Sequence, residues 1–197
     1  ILALAGGSAP ALELEVRGAW EQGGMVIGRV APVAKVWLEK TPVAVGRDGH
    51  FVLGLDRDAP AQVAVTVADP LGQHCYRFDV ARRSYDVQRV DGVPERTVAP
   101  PAEVLARIRR EQELVDRARA PVSARQDFLS GFARPLDGPI TGVYGSARIY
   151  NGVPKNPHYG LDIAAPSGTL VRAPAAGVVR LAQPDLYFSG GTLIVDH

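Results

Sequence analysis

Near the end of the chain runs Pro157-His158-Tyr159-Gly160-Leu161-Asp162-Ile163-Ala164-Ala165-Pro166, continuing through Gly168-Thr169 to Ala173-Pro174-Ala175-Ala176-Gly177. It sets a histidine and a carboxylate four residues apart, with a glycine between them. Imidazole nitrogen and carboxylate oxygen both suit Zn²⁺. In a strand, positions i and i+4 share a face but stand roughly 13 Å apart. Two side chains bonded to one ion at about 2.0–2.2 Å barely bridge that gap. Gly160 at the midpoint permits a kink or bulge that draws the two heads together. Helix is disfavoured, because Gly160 lies inside the segment and Pro157 and Pro166 bracket it. The spacing alone is equally compatible with a loop histidine and a turn carboxylate.

The wider text is more specific. The run from His158 to Thr169, then Val171, Ala173-Pro174, Gly177-Val178-Val179 and Gly191-Thr192-Leu193-Ile194-Val195-Asp196-His197, closely resembles the lysostaphin/LytM-type zinc metallopeptidases. The resemblance covers about the last third of the chain. It implies that His158 and Asp162 are ligands of a Zn²⁺ cofactor. It also implies an exported enzyme of the periplasm or cell envelope that hydrolyses peptide bonds in peptidoglycan stems or cross-links. In that family the third ligand is the second histidine of a downstream His-x-His pair, whose first histidine helps activate water. Neither is found before His197, which matches a family histidine not usually assigned as a ligand. The expectation is therefore a C-terminally truncated domain, with its catalytic residues beyond His197, inactive as it stands. The alternative is a non-catalytic relative that regulates other wall hydrolases, with a cell-wall amidase as partner. Retention of both His158 and Asp162 favours the enzyme.

Upstream of the motif, Arg148-Ile149-Tyr150-Asn151-Gly152 leads directly into His158. Arg148, Tyr150 and Asn151 are candidates to line a groove and meet the peptide, although a plain β-turn at Asn151-Gly152 explains the same residues.

The whole chain has 197 residues, 46% hydrophobic and 22% charged, with a net charge of +1. Two small domains fit that length, and the composition argues against wholesale disorder. Scattered Lys and Arg give no field for nucleic acid. No apolar run approaches the eighteen or so residues of a membrane span, so no stable insertion is expected. The lone Cys75 reads as a small buried strand residue rather than a reactive thiol. Residues 1–11 read as the remnant of a secretory signal peptide, with Ala9-x-Ala11 at the cleavage site, or as a plain disordered N-terminus.

Residues 12–90 alternate in short runs. Arg47-Asp48-Gly49 signals a hairpin and Asp69-Pro70-Leu71-Gly72 a type I turn. Seven or eight strands, the last at Tyr85-Asp86-Val87-Gln88-Arg89-Val90, predict an immunoglobulin-like β-sandwich. Within it, Trp20 and Trp37 read as packing residues, and His50 and His74 as satisfied or surface ones. Residues 91–131 form a linker, punctuated by Pro94, Pro100 and Pro101, with a helix over about 102–119. Pairs Glu103–Arg107 and Glu113–Arg117 support that helix, and its charged face reads as solvated. Ser123-x-x-Gln126 reads as a capping box for a short helix closing near Gly131. Residues 132–197 then return to strands, including Ile140–Tyr144, Thr169–Arg172, Gly177–Leu181 and Thr192–Asp196, with a loop over 146–156. The predicted class is mostly β: a sandwich, a helical linker and the first part of an incomplete antiparallel β-sheet peptidase domain.

Overall fold

The computed structural model describes residues 13–92 and 102–197. The signal reading of residues 1–11 and the prolines at 94, 100 and 101 lie outside those. The chain divides into two compact units, Ile1–Arg83 and Ser84–His197.

Among its described residues the first unit has seven strands: β1 Glu15–Gly18, β2 Met25–Arg29, β3 Lys35–Leu38, β4 Thr41–Val43, β5 His50–Gly54, β6 Gln62–Asp69 and β7 Gly72–Asp79. They form two sheets, β1-β2-β5 and β4-β3-β6-β7, with every pair antiparallel. The period of two puts alternate residues on one face. Val26, Phe51 and Leu53 of one sheet meet Val36, Val65 and Val67 of the other in a single apolar core. Phe51 lies flat against Gly28, its register partner, where a Cβ would fall on the ring. Trp20 stacks on Phe78 with centroids 4.0 Å apart. The β6–β7 hairpin turns where expected, Asp69 Oδ1 accepting the Leu71 N–H at 2.7 Å. The Arg47–Gly49 turn does not close a hairpin, because β4 and β5 belong to different sheets. Cys75 is exposed, not buried. It alternates with the half-buried Tyr76, which turns it outward.

The second unit holds β8 Val87–Val90, a 3₁₀ turn Ala102–Val104, helix α1 Leu105–Arg119, a 3₁₀ turn Asp127–Ser130, and strands β9 Ile140–Gly142, β10 Ala147–Tyr150, β11 Val153–Pro154, β12 Asp162–Ile163, β13 Val178–Leu186 and β14 Gly190–Asp196. These make three small sheets, β11-β10-β8, β12-β9 and β13-β14, rather than one antiparallel sheet. The strand expected to close the sandwich is here β8, and it pairs in parallel with β10. The expected loop 146–156 contains the β10–β11 hairpin, turned by Asn151 at φ 49° and Gly152 at φ 79°. Thr169–Arg172 is not a strand. The Thr169 N–H closes a turn on the Pro166 carbonyl, the Arg172 N–H makes a single long-range bond to the Pro135 carbonyl, and Leu170 is largely open to solvent.

Helix α1 is held by charge. Arg107 and Glu111 lie on the same side as the half-buried Ile108, Leu114, Val115 and Ala118. Arg107 pairs with Glu111 at 2.5 Å and with Asp185 at 3.0 Å, and Glu111 accepts the Tyr187 N–H at 2.7 Å. Two of the helix's charges, Arg107 and Glu111, thus supply the contacts to the end of β13, while Arg109, Arg110, Glu113, Asp116 and Arg117 are exposed, as expected of a solvated face. The Tyr187 N–H, then Arg107, hold the Glu111 carboxyl below its ordinary range. Ser123 caps nothing in the 3₁₀ turn, where Gln126 is the N-cap residue. Its hydroxyl instead donates to Asp196 Oδ1 at 2.9 Å, while Arg180 donates to Oδ2 at 2.6 Å.

Candidate metal centre and its groove

His158 lies in the loop between β11 and β12, and backbone bonds fix it from both sides. Its N–H donates to the Ser146 carbonyl and its own carbonyl accepts the Gly145 N–H, each at 2.7 Å. Gly145 has φ +88°, and a Cβ there would strike the Tyr85 ring, so both conformation and space demand glycine. Asp162 opens β12 opposite Gly142, next to a shift in register. A Cβ on Gly142 would occupy the place of the Asp162 carboxylate. Gly160 forms the bend between the two side chains.

These supports bring His158 Nε2 to 3.1 Å from Asp162 Oδ1. The other ring nitrogen, Nδ1, lies 3.2 Å from the Val143 carbonyl. A carbonyl only accepts, so this contact is a hydrogen bond when Nδ1 carries the hydrogen, and in that neutral tautomer the Nε2 lone pair faces the carboxylate. Two acceptors face one another there, which a proton or a metal cation between them resolves. Two ligands bonded at about 2.05 Å to a tetrahedral centre stand about 3.3 Å apart, close to the separation seen here. A ligating histidine that donates its second N–H to a carbonyl is the usual arrangement at such centres. The donor set fits zinc, and the Asp162 side chain, 61% exposed, leaves the site open to entry. Among the described residues no group of three or more His, Cys, Asp or Glu side chains gathers to hold an ion.

The pair opens into a groove of about 540 Å³ that Arg148, Tyr150, Lys155 and Asp86 also line. Arg148 and Tyr150 therefore share a cavity with His158 and Asp162, whereas Asn151 is not part of its lining and serves the β10–β11 turn. His197 is absent from the lining too. Its Nδ1 lies 2.6 Å from the Ala176 carbonyl and its ring meets Phe132 edge-on. His50, beside Asp48, and His74, against Tyr76, belong to the first unit. Asp86 and Gln88 are lining residues that the sequence did not disclose. Their polar alternation with Val87 was the signal, but it equally suits an outer face of a sandwich strand.

No family model matches the chain, and no curated protein does. Among solved structures, a candidate M23 peptidase from Pseudomonas aeruginosa is 27% identical, with a TM-score of 0.64 over 90% of this chain and 69% of that one. The chain shares the M23 peptidase fold. Its mostly β architecture of several small sheets and one α-helix agrees with that likeness. Among the described residues no helix is long and apolar enough to cross a membrane.

Proposed function

We propose that the second unit belongs to a zinc endopeptidase of the lysostaphin/LytM type that hydrolyses peptide bonds in bacterial peptidoglycan stems or cross-links. The observation that carries this reading is the His158 Nε2–Asp162 Oδ1 approach of 3.1 Å, with Nδ1 tied to a carbonyl and a groove alongside. The likeness to a candidate M23 peptidase supports it. His158 and Asp162 hold the ion, which when bound supplies Lewis acidity and an acidified water at neutral pH. The groove aligns an extended peptide beside that pair, with β10 as its wall. A substrate in the wall places the protein in the periplasm or cell envelope after export. The first unit serves as an immunoglobulin-like spacer, a reading that its three- and four-stranded sheets with a shared core support.

A catalytic zinc needs three protein ligands and an open position. The second reading is a non-catalytic member that regulates another wall hydrolase such as an amidase, against which the retained His158–Asp162 pair weighs. The experiment compares zinc content and release of peptide from purified sacculi for residues 1–197, for a chain extended by a His-x-His pair, and for His158→Ala and Asp162→Ala in that extended chain. The enzyme reading expects about one zinc and cleavage only in the unmutated extended chain. Full zinc and full cleavage in His158→Ala would sink it. Stimulation of an added amidase without cleavage would establish the regulator.

A further inference from the structure

We infer that Arg148 is a carboxylate anchor, so that the groove selects peptides bearing a free carboxylate rather than neutral or amidated ones. The inference deepens the peptidase reading and takes from it the peptide nature of the occupant. Arg148 lies on β10 and lines the same groove as His158 and Asp162. It stands two residues beyond Ser146, whose carbonyl holds the His158 backbone. In extended chain that is about 7 Å, one dipeptide step.

Among the described residues of the second unit, Arg107, Arg117, Arg125 and Arg180 each pair with a carboxylate. Arg148 does not, and of the arginines without such a pair it is the one that lines this groove. Its Nε reaches Gln88 Oε1 and its Nη1 reaches the Tyr150 hydroxyl, both at 3.4 Å. Those neutral contacts are long and weak. They orient the fork without neutralising it. Gln88 is also the register partner of Arg148 across the parallel β8–β10 ladder, so the support comes from a fixed strand. The two carboxylates in the lining do not satisfy the charge. Asp162 is engaged with His158, and Asp86 forms no ion pair with Arg148. A guanidinium without a carboxylate partner, held in the same concave surface as the His158–Asp162 pair, matches a bidentate carboxylate. A stem peptide with a free terminal or side-chain carboxylate offers such a group.

The test measures binding by calorimetry, so that it does not depend on turnover. The probes are a stem tetrapeptide with all carboxyls free and the same peptide with each converted to a carboxamide. The wild-type protein should bind the carboxylate form about tenfold more tightly or better, the scale of one charge-assisted pair at an open site. Arg148→Gln should bring the ratio close to one, and Arg148→Lys should restore part of it, charge without the fork. Equal binding of both peptides by the wild type, binding of neither at millimolar concentration, or an unchanged ratio in a folded Arg148→Gln would overturn the anchor. Sacculus cleavage by the same preparations is scored separately. Discrimination without cleavage in the extended chain sinks the peptidase and leaves the anchor, while cleavage with carboxylate-blind binding does the reverse.

Discussion

Gly142 lies against Asp162 so closely that a Cβ on it would come within 2.4 Å of Asp162 Oδ2. The two residues are partners across the β9–β12 ladder, so the neighbouring strand shapes the space in which the carboxylate stands. Gly142→Ala is expected to push the carboxylate away from His158. Zinc affinity, read by competition with a chromophoric chelator, should fall about 10- to 100-fold, the usual cost of disturbing the groups that orient a ligand. The metal-free melting temperature should change little, since Asp162 is exposed. Unchanged affinity would mean that Asp162 is not held in place by β9.

Arg107 and Glu111 dock helix α1 through Asp185 and the Tyr187 N–H. Arg107→Ala and Glu111→Ala should each loosen the helix, and the double variant should be no worse than either single one, because the groups act as one network. The readout is limited proteolysis within α1, which should accelerate several-fold. Added salt should produce part of the same effect in the wild type. Strictly additive effects would show that the two residues act separately.

Asp196 titrates below its ordinary value of 3.8, first because Arg180 donates to it and then because Ser123 does. A folded value below the unfolded one means that the unfolded chain binds more protons as pH falls. The associated stability is fully present above about pH 5, clear of the ordinary value, and is lost as pH drops through the depressed one. Glu111 acts in the same direction, mainly through the Tyr187 N–H. Asp196→Asn should therefore lower the melting temperature at pH 7 and flatten its decline between about pH 5 and 3. A variant whose profile runs parallel to the wild type would contradict this.

In the first unit, Phe51 is 1% exposed, and a Cβ on Gly28 would lie 2.1 Å from its ring. A buried ring between two sheets has no room to retreat. Gly28→Ala should cost about 1–3 kcal/mol through overpacking, measured by chemical denaturation. The loss should be the same with and without chelator, since no metal ligand is proposed in that unit.

Much of this was decided by residues that speak locally. Alternation in residues 50–55 and 62–67 states which side chains turn inward, and Asp69-Pro70-Leu71-Gly72 turns a hairpin wherever it is placed. The motif names His158 and Asp162, and Gly160 between them forms the bend that its flexibility allows. Other outcomes depend on partners far along the chain. A run such as Val87-Gln88-Arg89-Val90 states that it is extended, not which edge will accept it. Only the folded unit assigns it to β10, bringing Asp86 and Gln88 into the groove. Charges on α1 and the hydroxyl of Ser123 carry no periodic signal of their partners, because hydrogen bonds are local in space and not in sequence. The expected strand at Thr169–Arg172 had the right composition, but its long-range backbone bonding is the one contact from Arg172 to Pro135 and no ladder forms. Cys75 followed the alternation of β7 to the outer face, where its small apolar character had suggested burial. The His158–Asp162 approach depends equally on Val143, Ser146 and Gly142, which act through backbone carbonyls or through the absence of a side chain, and such roles leave no mark in residue type alone.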